Sequence, residues 1–292
     1  MTHRFIVYQY GKVASTALTN ALNKIDNVDA YQCHFMGLPA FQSILERLCQ
    51  PDLDDYFYEH SKGQLLNNLD CLRFFNVRER SPDKLTIISL AREPFGWFKS
   101  AIRQEIEGHL SALTHALQAN GIVAETSEDV VEKGLLLLLN RIRETVERVE
   151  SVDDLTVEYR LQLNQQQTFA DDKDFQDYLF LLGRFVMPHV WFKTQFAPQM
   201  AFSIETMAPF RDCGFIKSLS WGNVYLLRFE ALQQAYTALL NHEGFTEHPE
   251  LLAENEGHEK LYTDAIDKAF SSDAATWLAG HTHSSFSTFF GY

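Results

Sequence analysis

The stretch Arg4-Phe5-Ile6-Val7-Tyr8-Gln9-Tyr10-Gly11-Lys12-Val13-Ala14-Ser15-Thr16-Ala17-Leu18-Thr19-Asn20-Ala21-Leu22 decides the fold. Residues 4–9 are rich in β-branched and aromatic side chains and stop at Gly11, which reads as a strand. The period then changes. Ala14, Ala17, Leu18, Ala21, Leu22 and Ile25 recur at helical spacing and form one apolar helix face. The chain therefore opens with a strand, a short loop and a helix, and Val28 to Cys33 reads as a second strand.

A variable helical stretch covers roughly residues 40–70. Leu85-Thr86-Ile87-Ile88-Ser89-Leu90-Ala91 is nearly continuous in apolar character, the pattern of a strand buried on both faces of a parallel sheet. Pro94 stands where a first helical turn begins, and Phe98, Ile102, Ile106, Leu110, Leu113 and Leu117 predict one long amphipathic helix stopped by Asn120-Gly121. A further helix is expected over 128–150, and largely helical chain over 155–200, broken at Pro188 and Pro198. Gly214 to Leu219 and Asn223 to Phe229 read as two strands joined by Ser220-Trp221-Gly222. Three helical segments then lead to a polar-aromatic tail from His281 to Phe286. The expected fold is α/β: a parallel central sheet flanked by helices, as one domain over 1–292 with a helical insertion at roughly 104–200.

Composition narrows the function. The 292 residues carry 25 Lys and Arg against 39 Asp and Glu, a net charge of −14. Apolar residues make up 46%, enough for a large core and incompatible with wholesale disorder. The acidity argues against nucleic acid as a partner, so an anionic ligand must be held by a local cluster of donors. Cys33, Cys49, Cys71 and Cys213 form no CxxC pair and have no His at zinc-like spacing, so neither a metal site nor a disulfide framework is expected. No apolar run reaches the length of a signal peptide core or a membrane span, and a cytoplasmic protein is the expectation.

Two motifs carry chemistry. Gly11-Lys12-Val13-Ala14-Ser15-Thr16 lies between a strand and a helix, at the strand edge where open α/β sheets bind ligands. A helix N-terminus offers free N–H groups to an anion; Lys12 adds a cation, and Ser15 and Thr16 add hydroxyls. It is not a Walker A loop, because Ile6 stands where the first glycine belongs and Val13 follows the lysine. An ordinary strand–helix turn with a surface Lys is the plainer account of these residues. In the second motif, Arg92 follows a buried strand and Ser100 lies eight residues on, beyond Pro94. A guanidinium and a hydroxyl brought together there suit phosphate oxygens. A surface Arg92–Glu93 pair is the plainer account.

Two anion sites, each after a parallel strand, suit a nucleotide with phosphates at both ends of its ribose. Lys12-Val13-Ala14-Ser15-Thr16 resembles the 5′-phosphosulfate loop of sulfotransferases that use 3′-phosphoadenosine-5′-phosphosulfate (PAPS), and Arg92 with Ser100 resembles their 3′-phosphate motif. Trp191-Phe192, Pro209-Phe210 and Leu226-Leu227-Arg228-Phe229-Glu230-Ala231-Leu232 look like the bacterial branch of capsular polysaccharide synthesis proteins. The chain departs from the pattern at Gly11, where the family usually has Pro, and at Lys193-Thr194-Gln195, where the branch often carries an acidic residue.

The resemblance implies a P-loop-like sheet and sulfuryl transfer from PAPS to a hydroxyl or amine of a carbohydrate or other small hydroxylated acceptor, without a metal. It implies that Gly11, Lys12, Val13, Ala14, Ser15 and Thr16 hold the 5′-phosphate, that Arg92 and Ser100 hold the 3′-phosphate, and that Lys12 stabilises charge on the departing nucleotide. His34, directly after the second strand, is the expected general base. Glu59, His60, His281 and His283 are other groups of suitable chemistry. Two alternatives stand beside this reading: a sulfotransferase-like protein without catalysis that assists surface polysaccharide assembly, and a nucleotide-dependent phosphotransferase.

Overall fold

The computed structural model describes residues 2–51, 55–155, 172–252 and 261–292. They fall into two compact units. One holds residues up to Arg92 and from Trp191 to Gly257; the other holds Glu93–Val190 and the chain from His258 to Tyr292. The helical expectation for residues 52–54 and 156–171 lies outside the described residues.

The first unit contains the whole sheet. Its strands are β1 (His3–Tyr8), β2 (Val28–Cys33), β3 (Lys84–Ala91), β4 (Ala208–Pro209), β5 (Gly214–Leu219) and β6 (Gly222–Arg228), in the order β2-β1-β3-β6-β5-β4. β2, β1, β3 and β6 are parallel, while β5 runs antiparallel to β6 and β4 antiparallel to β5. The fold is thus α/β, as the strand pattern predicts, but the sheet expected to be parallel is only mostly so, because β5 and β4 add an antiparallel edge. β3 is the central strand, and the near-continuous run that predicted it is buried from Leu85 to Ala91. Gly222 opens β6 after the two-residue turn Ser220-Trp221; a Cβ there would come within 1.8 Å of the Leu85 carbonyl oxygen, so only glycine lets β6 approach β3 so closely.

Helix α1 (Ser15–Leu22) joins β1 to β2 and buries Ala17, Leu18, Ala21 and Leu22, the face given by the sequence period. Asn23 ends it, and its amide brackets Ala30 of the edge strand β2, accepting from Ala30 N at 2.7 Å and donating to Ala30 O at 3.0 Å. Helices α2 (Leu38–Leu48) and α3 (Asp55–Val77) link β2 to β3.

The second unit is helical. The long helix expected from Phe98 to Leu117 is two: α4 (Pro94–Glu105) and α5 (Leu110–Ala119), parted by a 3-10 turn over Ile106–His109. The apolar period continues across the break, but Gly108 inside the turn weakens the α-helical conformation there. Helix α6 (Ser127–Val146) is capped by the Thr126 hydroxyl on Asp129 N. Helix α7 (Asp172–Trp191) runs through Pro188 instead of stopping before it. Near the end of the chain, α8 (Leu232–Glu243) belongs to the first unit, and α9 (Thr263–Ala269), α10 (Asp273–His281) and α11 (Ser285–Phe290) to the second. The polar-aromatic tail from His281 to Phe286 leads into α11, because Ser284 caps that helix on Ser287 N and Phe286 and Phe290 are buried. Among the described residues, no helix is long and apolar enough to cross a membrane.

Each unit holds a histidine in a polar network, half-buried His3 in the first and buried His189 in the second. In the first, at the amino-terminal edge of the sheet, His3 Nε2 stands 2.8 Å from Thr86 Oγ1 and 3.5 Å from Glu243 Oε2. Burial pushes the Glu243 carboxyl up, but bonds from Lys84 Nζ at 2.5 Å, Tyr225 Oη at 2.6 Å and Asn223 Nδ2 at 2.8 Å outweigh it and hold the group below the usual carboxylate range. Burial also outweighs the pull of Glu243 on His3 and lowers that ring from 6.5 to about 4, so His3 meets the carboxylate as a neutral ring, not as an ion pair. In the second unit, His189 Nδ1 lies 2.8 Å from Ser284 Oγ, and burial again lowers the ring from 6.5 to about 4.

Both depressed histidines bear on acid stability. Between pH 6.5 and 4 the unfolded chain takes up protons at His3 and His189 that the folded chain refuses. Their contribution to stability is therefore full above pH 6.5 and is lost as the pH drops toward 4. Chemical denaturation across this range will show that loss, and His189→Gln, which keeps a hydrogen-bonding group beside Ser284 but cannot titrate, will shallow the slope. A slope unchanged in the variant would show that His189 is not buried neutral.

Candidate functional site

In the order β2-β1-β3, the chain leaves β1 for β2 on one side and reaches β3 on the other. Such a reversal parts the loops at the carboxyl ends of the two strands and leaves a crevice between them. The loop after β1 and the residue after β3 are those that carry the two sequence motifs.

The loop after β1 has an uncommon backbone. Gly11 has φ 93°, Lys12 φ 55° and Ala14 φ 59°. Gly11 adopts its conformation freely, but Lys12 and Ala14 lie in the left-handed region that side chains disfavour. Such strain persists only where the surroundings impose it. Val13 is fully buried and pins the middle of the loop, while Lys12 and Ala14 on either side are half-buried. Ala14 is the N-cap of α1, and among the described residues no side chain caps that end. The first-turn N–H groups, with the positive end of the helix dipole, are thus left for a ligand or water.

Two glutamines brace the loop from inside. Gln9, which continues β1, is fully buried. Its Oε1 accepts from Gly11 N, and its Nε2 lies 2.9 Å from Ser15 Oγ and 3.3 Å from His34 Nδ1. Gln32, on β2, has Nε2 at 2.8 Å from Ser15 Oγ and 3.2 Å from His34 Nε2, and its Oε1 lies 3.4 Å from Thr16 Oγ1. Ser15 is buried and Thr16 exposed.

His34 stands where the parallel register of β1 and β2 requires. Tyr8 pairs with Cys33, and Gln9 N donates to Cys33 O at 3.0 Å, so His34 emerges beside Gln9 at the same carboxyl edge as Lys12. Asn68 of α3 fixes the backbone there, its Oδ1 accepting from His34 N at 3.0 Å. The ring lies between the Gln9 and Gln32 amides, two residue positions that the motif reading did not single out. The signal for Gln9 was present: a polar residue directly continuing a buried strand, before the turn glycine.

Arg92, directly after β3, reaches the loop after β1. Its Nη1 donates to the Lys12 carbonyl at 2.9 Å, its backbone N donates to Tyr10 Oη at 3.3 Å, and its guanidinium lies over the Phe229 ring at 4.5 Å from the centroid. The structure thus brings Arg92 and the Gly11–Thr16 loop together, and gives Arg92 a bracing contact as well as its charge. Tyr10 itself packs on Trp191 at 5.5 Å and Phe192 at 6.0 Å, and Trp191 also meets Tyr8 edge-on at 4.9 Å. Trp191 and Phe192 are therefore core residues that back the loop, and Phe192–Phe196 form a π-helical turn there.

Ser100 lies half-buried on α4 in the second unit, while Arg92 closes the first. Glu93 caps α4, accepting from Phe95 N at 2.8 Å and Gly96 N at 2.5 Å. Glu59 is exposed on α3 beside Lys62, and the side chain of His60 lies outside the described residues. His281 stacks on Trp277 at 4.7 Å, and His281 and His283 are exposed in the second unit. Among the described residues, no group of three or more His, Cys, Asp or Glu could hold a metal ion.

No protein-family model matches the chain, and neither the curated proteins nor the solved structures contain a match to it.

The Arg92–Lys12 contact generates a direct expectation. A hydrogen bond from a charged donor contributes about 1.5–3 kcal/mol. Arg92→Gln will release the Lys12 carbonyl, and amide hydrogen exchange at Gly11, whose N–H is held by Gln9, will accelerate roughly tenfold or more while β1 and β3 keep their protection. Unchanged exchange in the loop would mean that the bond does not hold it.

Proposed function

We propose that the chain is a PAPS-dependent sulfotransferase with a P-loop-like nucleotide site, acting on a hydroxyl or amine of a carbohydrate acceptor. The observation that carries this reading is the uncapped N-terminus of α1, entered through a strained loop that contains Lys12 and is tied to Arg92 at the switch point of a parallel sheet. Free N–H groups, a helix dipole and a cation converge there, which is the chemistry an ionised phosphate or phosphosulfate calls for. The absence of a Walker A pattern and the resemblance of Lys12 to Thr16 to the phosphosulfate loop favour a sulfuryl donor over ATP.

The first unit supplies the residues that this proposal uses. The amides that open α1, with Thr16, bind the 5′-phosphate. Arg92, with Nη1 on the Lys12 carbonyl, brings its positive charge to the edge where the 3′-phosphate binds. Acceptor oxygen attacks sulfur in line. The new S–O bond forms as the bond from sulfur to the bridging phosphate oxygen breaks, the bonding pair stays on adenosine 3′,5′-bisphosphate, and the acceptor's proton is released. Lys12 donates to the departing oxygen as charge builds there. His34, expected as base, is close enough to the loop for that part, but both of its ring nitrogens are engaged by glutamine amides.

The test is nucleotide selectivity followed by turnover. Adenosine 3′,5′-bisphosphate will raise the melting temperature more than AMP at matched concentration; a hundredfold excess over Kd stabilises by about 2.7 kcal/mol. Lys12→Ala will lower release of adenosine 3′,5′-bisphosphate from PAPS, measured over a panel of carbohydrate acceptors, by roughly two powers of ten or more, with a smaller loss of nucleotide affinity. Equal stabilisation by AMP and the bisphosphate, or normal turnover in the variant, would contradict the proposal.

A further inference from the structure

The direction of hydrogen bonding around Gln9 can be traced from one fixed point. A backbone N–H only donates, so the bond from Gly11 N fixes which end of the Gln9 amide is oxygen. The other end, Nε2, therefore faces Ser15 Oγ at 2.9 Å and His34 Nδ1 at 3.3 Å. An amide nitrogen cannot accept, so His34 Nδ1 is the acceptor, and a neutral imidazole that accepts at Nδ1 carries its proton on Nε2.

That Nε2–H points at the Gln32 amide, 3.2 Å away, and needs an oxygen there. A half-turn of the Gln32 amide exchanges its oxygen and nitrogen at the same positions. The oxygen then accepts from His34 Nε2–H and from the Ser15 hydroxyl, and the NH2 group donates to Thr16 Oγ1. In this arrangement Ser15 accepts from Gln9 and donates to Gln32, and no donor in the chain faces another donor.

We propose that Gln9 is a positioning residue: anchored on Gly11, it holds His34 as the Nε2–H tautomer and, through His34 and Gln32, fixes Ser15 and Thr16 before any ligand arrives. The significance of this network rests on the reading that the Gly11–Thr16 loop binds a phosphate. Within it, His34 orients the loop and takes no proton from the acceptor. A buried amide suits the task because, unlike a carboxylate, it brings an acceptor and a donor together without adding negative charge beneath an anion site. A loop shaped in advance loses less conformational freedom on binding.

The tautomer is measurable on the ligand-free full chain at neutral pH, by long-range nitrogen–proton correlation of the histidine rings. The His34 signals are identified by their loss in His34→Gln. The expected result is a proton on Nε2 and an unprotonated Nδ1; a proton on Nδ1 in the wild type would overturn the proposal. Gln9→Glu keeps an oxygen for Gly11 N–H but sets a carboxylate against Nδ1, so His34 must gain a proton there; a ring still protonated at Nε2 alone would also count against it. Titration with adenosine 3′,5′-bisphosphate keeps the two readings apart. Saturable binding to a chain whose His34 bears its proton on Nδ1 refutes the network and spares the nucleotide site. An Nε2–H ring in a chain that does not bind the nucleotide supports the network and refutes the site.

Discussion

The bond from Arg92 to the Lys12 carbonyl ties the end of β3 to the loop after β1, and the arrangement of the first unit's carboxyl edge depends on it. The loop needs such a tie. Lys12 and Ala14 hold left-handed backbone conformations that cost roughly 1–2 kcal/mol each in a residue with a side chain. The charge-assisted bond offsets part of that cost, and the buried Val13 and the Gln9 amide contribute the rest of the constraint. What results is a helix start with no side-chain cap, kept in one shape by groups that lie beside and beneath it.

The sheet makes this possible. Because β3 sits on the far side of β1 from β2, the residues that follow β1 and β3 meet across a crevice, while His34 arrives from β2 on the other flank. Arg92, Lys12 and His34 thus come from three adjacent parallel strands, separated by long stretches of sequence but placed at one edge by register alone. Behind them, Trp191 and Phe192 press on Tyr10, whose hydroxyl accepts from the Arg92 backbone. Charge and hydrogen bonding form the front of the site, and aromatic packing its rear.

Much of this architecture was legible in the residues. The change of period at Gly11 marked the strand, loop and helix, and the apolar run from Leu85 marked the central strand, because burial on both faces leaves so plain a pattern. The break between α4 and α5 was hidden, since Ile106, Leu110 and Leu113 keep the helical period through a turn that is not α-helical. The passage of α7 through Pro188 was hidden for the opposite reason: a strong local signal gave way to the surrounding helix. In the site, the lysine, hydroxyl and arginine positions carried recognisable motifs, but Gln9 and Gln32 did not. A glutamine is commonplace in sequence and acquires meaning only when parallel pairing brings Gln9, Ser15, Gln32 and His34 together.

The central claim is that the loop between β1 and α1 is where this protein receives an anionic nucleotide. Its most direct test is residue-resolved: backbone amide chemical shifts of the full chain during titration with adenosine 3′,5′-bisphosphate. The account predicts saturable shifts concentrated at Gly11, Lys12, Ser15 and Thr16, with a second group at Arg92. Shifts confined to another part of the chain, or none at saturating nucleotide, would contradict it.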